Sequence, residues 1–406
     1  MRSSTYFPLI ATIAVQMLAS MAVVTVPVLA PAAAATVGVS AGYVGLVVAV
    51  IYGAGMASGL VSGALVRRVG AIRVSQLCLL SCALGLWLAA TAQLPLLALG
   101  AALIGCGYGL CTPASSHILS RNTPPERMAL IFSLKQTGVP LGGALAGLVL
   151  PSLVLLAGWR AAAVFVGVAC IVVAALAQPI RARLDADRVP GHAISGASLS
   201  TPLRLILGDA AMRRLSISSF FFASVQLCLV TYLVTYLTLR LNYSLVQAGF
   251  LLAMAQGCAV IGRICWGAIA DRGNPQRVIG VLGCAMSALA AVTAAFTPDW
   301  PGLVITLSCA VFGATAIGWN GVFLAQIARL APAGKAGEAT GGALFFTYFG
   351  VLTGPPVFAF MVEGGMGYSM AFVVVAIPAL ISGLMLLAGS SHHQLPVDAR
   401  HIRDTH

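Results

Sequence analysis

Twelve runs of predominantly apolar residues, each near or above the roughly 20 that carry a helix across a bilayer, follow one another along this 406-residue chain. They fall near 7–32, 42–66, 72–93, 95–120, 128–156 and 159–181, then near 213–240, 246–271, 276–297, 301–330, 336–362 and 367–389. The pattern predicts an all-α membrane protein of 12 transmembrane helices in two sets of six. Only 8% of the residues are charged, against about a quarter in a soluble domain, so lipid rather than water faces most of the surface.

The first run follows the basic Arg2 and ends in an Ala-rich segment, as a secretory signal does. It is nevertheless longer than the roughly 7–15 apolar residues of a signal core, so it reads as the first membrane helix. The stretch RLDADRVPGHAISGASLSTPLRLILGD, 183–209, gathers charge, proline, glycine and serine and predicts a polar link without a core of its own. The chain thus divides into a domain at 1–182, a linker at 183–212, a domain at 213–389 and a tail at 390–406. Nearly all loop cations, from Arg67 and Arg68 to Arg400 and Arg403, fall on one side of the twelve runs, with Arg160 and Arg240 opposite. That bias places both termini, the linker and the tail in the cytoplasm, as expected for a multi-pass protein of a bacterial inner membrane. The net charge of +12 is spent on these loops rather than on a basic run with interleaved aromatics, so no nucleic-acid partner is expected. Ten cysteines lie almost entirely within apolar runs, without disulfide-framework or zinc-site spacing, and read as small packing residues.

The halves look like copies. SGALVRRVG at 62–70 aligns with WGAIADRGN at 266–274, and GWRAAAVFV at 158–166 with GYSMAFVVV at 367–375, at offsets of 204 and 209. Near-constant offsets indicate one duplicated six-helix unit. The loop GAIADR after the eighth run, with its partner GALVRRVGAIR after the second, resembles the G-x-L-A-D-R-x-G-R-R/K signature of the major facilitator superfamily. The resemblance implies a secondary transporter of two pseudo-symmetric six-helix domains. It also implies a cytoplasmic gate held by the loop acid, here Asp271 with Arg272. Arg67 stands where the first-half signature has that acid, next to Arg68, so the first-half gate contact is expected to differ. In that fold the second and eleventh helices meet across the domain interface, as do the fifth and eighth. Gly55, Gly59 and Gly63, and Gly350 and Gly354, recur every four residues on the second and eleventh runs, a spacing that permits close helix packing in lipid. TGVPLGG at 137–143 is one residue short of the superfamily's antiporter motif and does not predict an antiporter.

Ionisable groups at membrane depth are costly and mark functional sites. Lys135 on the fifth run and Arg263 on the eighth each lie eight residues, about 12 Å, from the predicted cytoplasmic ends near Arg127 and Asp271. No carboxylate accompanies them in sequence, which predicts a substrate that brings its own negative charge. An arginine eight residues before the loop acid also resembles the eighth helix of monocarboxylate, oxalate and nitrate carriers. Trp319 and Asn320 are the best polar candidates beside the cations, because the first, fourth, seventh and tenth helices line the cavity in the resembled fold. Gln136, Tyr348, Gln226 and Gln256 follow, with Gln16, Tyr52, Tyr108 and Tyr232 as further candidates. For each of these a helix-to-helix hydrogen bond competes with substrate contact, and for the cations a purely structural role competes with binding. The expected function is transport of a small mono- or dicarboxylate by a monomer, with protons or a counter-substrate as coupling partner. The alternative is an efflux carrier for drugs or neutral metabolites. No catalytic constellation, cofactor-binding or metal-binding motif is present in the sequence, so the chain is not expected to be an enzyme.

Overall fold

The computed structural model describes residues 6–37, 44–192, 197–243 and 245–390. Its helices are α1 (Tyr6–Val37), α2 (Val44–Val69), α3 (Ala71–Ala90), α4 (Leu94–Asn122), α5 (Met128–Gln136), α6 (Gly138–Leu176) and α7 (Arg181–Leu184), then α8 (Ala197–Gly208), α9 (Ala210–Leu241), α10 (Leu245–Arg272), α11 (Pro275–Ala294), α12 (Gly302–Ala316), α13 (Asn320–Leu330), α14 (Ala336–Met361) and α15 (Gly367–Ser390). Among the described residues ten helical stretches are long and apolar enough to cross a membrane. Twelve crossings result because α6 turns back at Gly158 (φ 83°), so that α5 with the start of α6 forms the fifth span and the rest the sixth. A turn at Gly365 (φ 91°) likewise separates the eleventh from the twelfth within the 336–389 stretch. The tenth span is α12 and α13, broken at 317–319.

Packing repeats as the sequence does. In the first half α1 packs on α6, α2 on α4, and α3 on α6; in the second α9 packs on α14, α10 on α12, and α11 on α15. Two apolar cores follow, one drawn from residues 15–184 and the other mainly from the second half. Met128, Ala129, Ile131 and Phe132 of α5 are built into the second core, although the chain places them in the first half. Large side chains such as Leu155 (88% exposed) and Phe360 (78%) cover the outside, the inversion of a soluble surface that a lipid environment demands.

The linker is more ordered than its composition predicts. Asp185 accepts hydrogen bonds from the N–H groups of Ile72 (2.7 Å) and Arg73 (3.2 Å), capping α3. Asp187 bonds His117 Nε2 at 2.7 Å and pairs with Arg121 at the end of α4, and Val189 N–H donates to the carbonyl of Arg67 at 2.7 Å. Farther on, α8 buries Pro202 and Ile206 against Gly342 of α14, which has no side chain to hold them off. The apolar residues of this stretch are few but fall at helical spacing, and a groove on the bundle receives them. Of the tail expected at 390–406, residues 391–406 lie outside the described residues.

The capping carboxylates respond to pH differently. Desolvation raises the Asp185 carboxyl above its ordinary range, despite the two amide bonds. Desolvation also acts on Asp187, but His117 and Arg121 outweigh it and bring that carboxyl below its ordinary range. The stabilisation from Asp187 is therefore complete above the ordinary carboxylate range and lost as pH falls through the lowered value. At Gly70, φ is 100° and an added Cβ would sit 2.2 Å from Asp185 Cγ. Gly70→Ala is expected to destabilise the purified protein by about 2–4 kcal/mol, read as a lower Tm, whereas Gly147→Ala, with nothing within 4 Å, leaves Tm nearly unchanged.

Candidate functional site

The site begins with a missing donor. Pro140 has no N–H to close the helical bond to the carbonyl of Gln136, four residues before it, and the helix breaks at Thr137 between α5 and α6. A second break, at 317–319, leaves the carbonyl of Ile317 beyond the end of α12. Arg263 of α10 reaches both: Nη1 donates to the Gln136 carbonyl and Nε to the Ile317 carbonyl at 3.2 Å. Neither bond uses Nη2. The guanidinium, 2% exposed, thereby joins the broken fifth span to the broken tenth.

Lys135 is held beside it. Its Nζ donates to Gln16 Oε1 (2.6 Å), Gln136 Oε1 (3.1 Å) and Thr112 Oγ1 (3.3 Å), three neutral oxygens that take all three ammonium hydrogens. Gln16 also receives Thr112 Oγ1 at 3.2 Å and passes its own amide N–H to Ser20. Lys135 is 1% exposed. Among the described residues no carboxylate forms an ion pair with either cation. Two like charges therefore share Gln136, one through its side chain and one through its backbone.

The break in the tenth span also positions Trp319 and Asn320, whose side-chain N–H groups both donate to Gln226 Oε1 of α9 at 3.1 Å. Trp319 is fully buried against Phe222 and Phe323, so it anchors this cluster from the core while Gln226 and Asn320 stay half-buried. Tyr348 lies in a three-ring cluster with Tyr52 and Tyr108 at centroid distances of 6.0–6.2 Å. Gln256 lies two helical turns from Arg263 and so on the same face of α10, without a bond to the other candidates. Tyr232 instead donates to the carbonyl of Pro355 at 2.7 Å. Thr112 was missed by the sequence reading, because a threonine in an apolar run carries no signal of its own; only the fold brings it to Lys135.

At the arginine-rich end of the bundle contacts cross between the halves at two seams, and Arg329 adds a bond to the Pro125 carbonyl at 2.6 Å. Asp271 accepts from the N–H groups of Ala129 and Leu130, both at 2.8 Å, capping α5, and pairs with Arg329 at 2.9 Å. Across the other seam Arg67 Nε lies 3.2 Å from Glu338 Oε1 in the first turn of α14. Gly63 makes that approach possible: a Cβ there would fall 2.2 Å from Glu338 Cγ. Arg68 and Arg272 are exposed and take no part in these contacts. Gly59 meets Gly341 across the same seam, whereas Gly350 and Gly354 pack on α9 within the second half.

A sequence model of the Major Facilitator Superfamily matches residues 10–355. The chain belongs to the Major Facilitator Superfamily. This is a family of transporters rather than enzymes. An uncharacterized MFS-type transporter from two strains of Mycobacterium tuberculosis is 27% identical over 259 residues, 64% of this chain and 57% of that relative. The match therefore spans little more than half the length of those curated relatives. The fold is shared with the Escherichia coli fucose:proton symporter (TM-score 0.75, 17% identity, 94% of this chain and 98% of that one). It is shared also with a human organic anion transporter (0.74, 16%, 95% and 100%) and with a proton:xylose symporter (0.73, 18%, 96% and 96%).

Within this superfamily fold the two cations carry opposite structural consequences. Replacing Arg263 by Met leaves the Gln136 and Ile317 carbonyls without their donor, an expected loss of about 2–4 kcal/mol. Replacing Lys135 by Met removes a buried charge that has no counter-ion, so Lys135→Met is expected to raise stability by about 1–2 kcal/mol. Thermal unfolding of the two variants beside the parent protein tests the contrast; equal destabilisation by both would assign Lys135 to the scaffold.

Proposed function

We propose that this chain is a secondary transporter that carries a small organic anion, a mono- or dicarboxylate, across a bacterial inner membrane by alternating access. The observation that carries the reading is the pair Lys135 and Arg263, buried on helices α5 and α10 from opposite halves, joined through Gln136 and, among the described residues, without a carboxylate paired to either. A carboxylate between them would supply the missing charge. Arg263 Nη2 is engaged by neither carbonyl bond, and the Lys135 ammonium exchanges neutral amide oxygens for charged ones, which bind it more strongly. Asn320 and Gln226 provide hydrogen bonds for the rest of the molecule. The fold neighbours include carriers of sugars as well as of organic anions, so the side chains, not the fold, select the substrate.

The arginine bias puts the Asp271 and Glu338 contacts at the cytoplasmic face, where both seams are closed. They act as two latches of opposite polarity. Asp271 places its carboxylate on the N-terminus of α5, where helix dipole and free N–H groups favour negative charge. At the other seam the acid is carried by α14 itself and Arg67 supplies the cation.

A second reading has support of its own. All three Lys135 donors are satisfied by neutral oxygens, and the Tyr52, Tyr108 and Tyr348 rings lie where the halves meet, an arrangement suited to neutral or aromatic cargo with structural cations. Thermal stabilisation of purified protein across a panel of acids, amines and drugs separates the two. Stabilisation by acids that disappears in both Arg263→Gln and Lys135→Gln is expected; stabilisation by neutral or cationic drugs that survives both substitutions sinks the anion reading.

The latch assignment has its own check. Arg67→Gln or Glu338→Gln is expected to shift the population toward cytoplasmic opening about fivefold, from an ion pair worth roughly 1 kcal/mol at this partly exposed seam. The reversed pair R67E with E338R restores the parent distribution, measured as a spin-label distance across the α2–α14 seam. Opening that is unchanged by the single substitutions would remove the pair from the gate.

A further inference from the structure

We propose that Lys135 is the proton carrier of the transport cycle, so that the anion moves together with one proton. The inference rests on the anion reading above and adds the coupling to it. Its starting point is a charge count. Of the two buried cations only the lysine can exchange a proton at accessible pH, since a guanidinium stays charged. Among the described residues no carboxylate pairs with Lys135. α1 presents Gln16, and α4 presents Thr112 and Cys111, the thiol lying 3.5 Å from Gln16 Oε1. Cys78 faces it from α3 and Arg263 from α10, with Tyr108 beside Arg263. On α6 the one basic residue, Arg160, bonds the Ala90 carbonyl at the far end of the bundle, and on α13 Arg329 is taken by Asp271. Glu126, in the turn that leads into α5, is exposed, and Asp271 and Glu338 are engaged at the latches.

The two forms of the cycle then balance. With a monocarboxylate bound, the site holds Lys135–NH3+, Arg263+ and RCOO−, a net charge of plus one. After RCOO− leaves, Lys135 releases H+ on the same side and becomes a neutral amine, so the empty site returns carrying Arg263 alone, again plus one. Were the lysine to keep its proton, the empty site would carry an additional charge through the membrane potential on every return. The neutral amine keeps two donors for Gln16 and Gln136, and its lone pair can accept the Thr112 hydroxyl if that hydrogen turns away from Gln16 Oε1. The three Lys135 contacts can therefore persist in the amine, at the expense of the Thr112–Gln16 bond.

The test is calorimetry of L-lactate, oxalate and succinate binding to the full-length protein in buffers of different ionisation enthalpy, between about pH 6 and 9. Proton uptake approaching one per anion at the alkaline end is expected for the parent, and none for Lys135→Arg, whose charge is permanent, or for Lys135→Met. A merely structural lysine would alter affinity without altering this proton count. Acid binding with no proton uptake at any pH, or uptake that persists in Lys135→Arg, overturns the inference while leaving anion transport standing. Absence of binding by every acid, to parent protein that is stabilised by neutral drugs, overturns the anion reading itself. In proteoliposomes of parent protein, an interior one pH unit more alkaline should raise accumulation of the bound monocarboxylate about tenfold; accumulation indifferent to the gradient overturns the coupling.

Discussion

One unmade hydrogen bond organises the middle of this protein. Pro140 cannot donate to Gln136, and the carbonyl it frees would be costly in a dry interior. Arg263 fills it from the other half of the molecule and with a second nitrogen satisfies the Ile317 carbonyl. A single buried cation thus holds together two interrupted spans that belong to different halves. Because Lys135 is adjacent to Gln136 in the chain, the same break sets a second positive charge beside the first. The feature that stabilises the domain contact and the feature proposed to bind the anion are therefore one arrangement, and the proposed binding at Arg263 would act directly on the seam between the halves.

The seam is completed at the arginine-rich end by contacts that use helix termini. Asp271 sits on the two free N–H groups that open α5, a neutralisation that needs only one charged residue. The pseudo-equivalent place on α2 has Arg67, and Glu338 on α14 answers it. The duplicated unit has kept the geometry and exchanged the charges. Small residues make this possible, since Gly63 and Gly59 let α2 and α14 approach at the backbone.

Much of the architecture was legible. Apolar run length determined that the spans are helices, and duplicated motifs indicated two related halves. Lys135 and Arg263 stood out because charge inside an apolar run is costly enough to need a reason. The linker was misjudged in one respect: its composition is polar on average, yet Pro202 and Ile206 fall at helical spacing and find the groove at Gly342. Averages over a segment conceal a short amphipathic face.

Length and hydropathy determined on their own that the chain spans a membrane, and a proline at 140 leaves the Gln136 carbonyl without its helical donor whatever the fold, because both follow from local covalent and solvation chemistry. Which groups answer that break, the sequence could not say. That Thr112 and Gln16 hold Lys135, that Trp319 packs against Phe222, and that Glu338 meets Arg67 depend on contacts between residues tens to hundreds of positions apart. Such contacts are chosen by the packing of whole helices, and only the tertiary structure decides them.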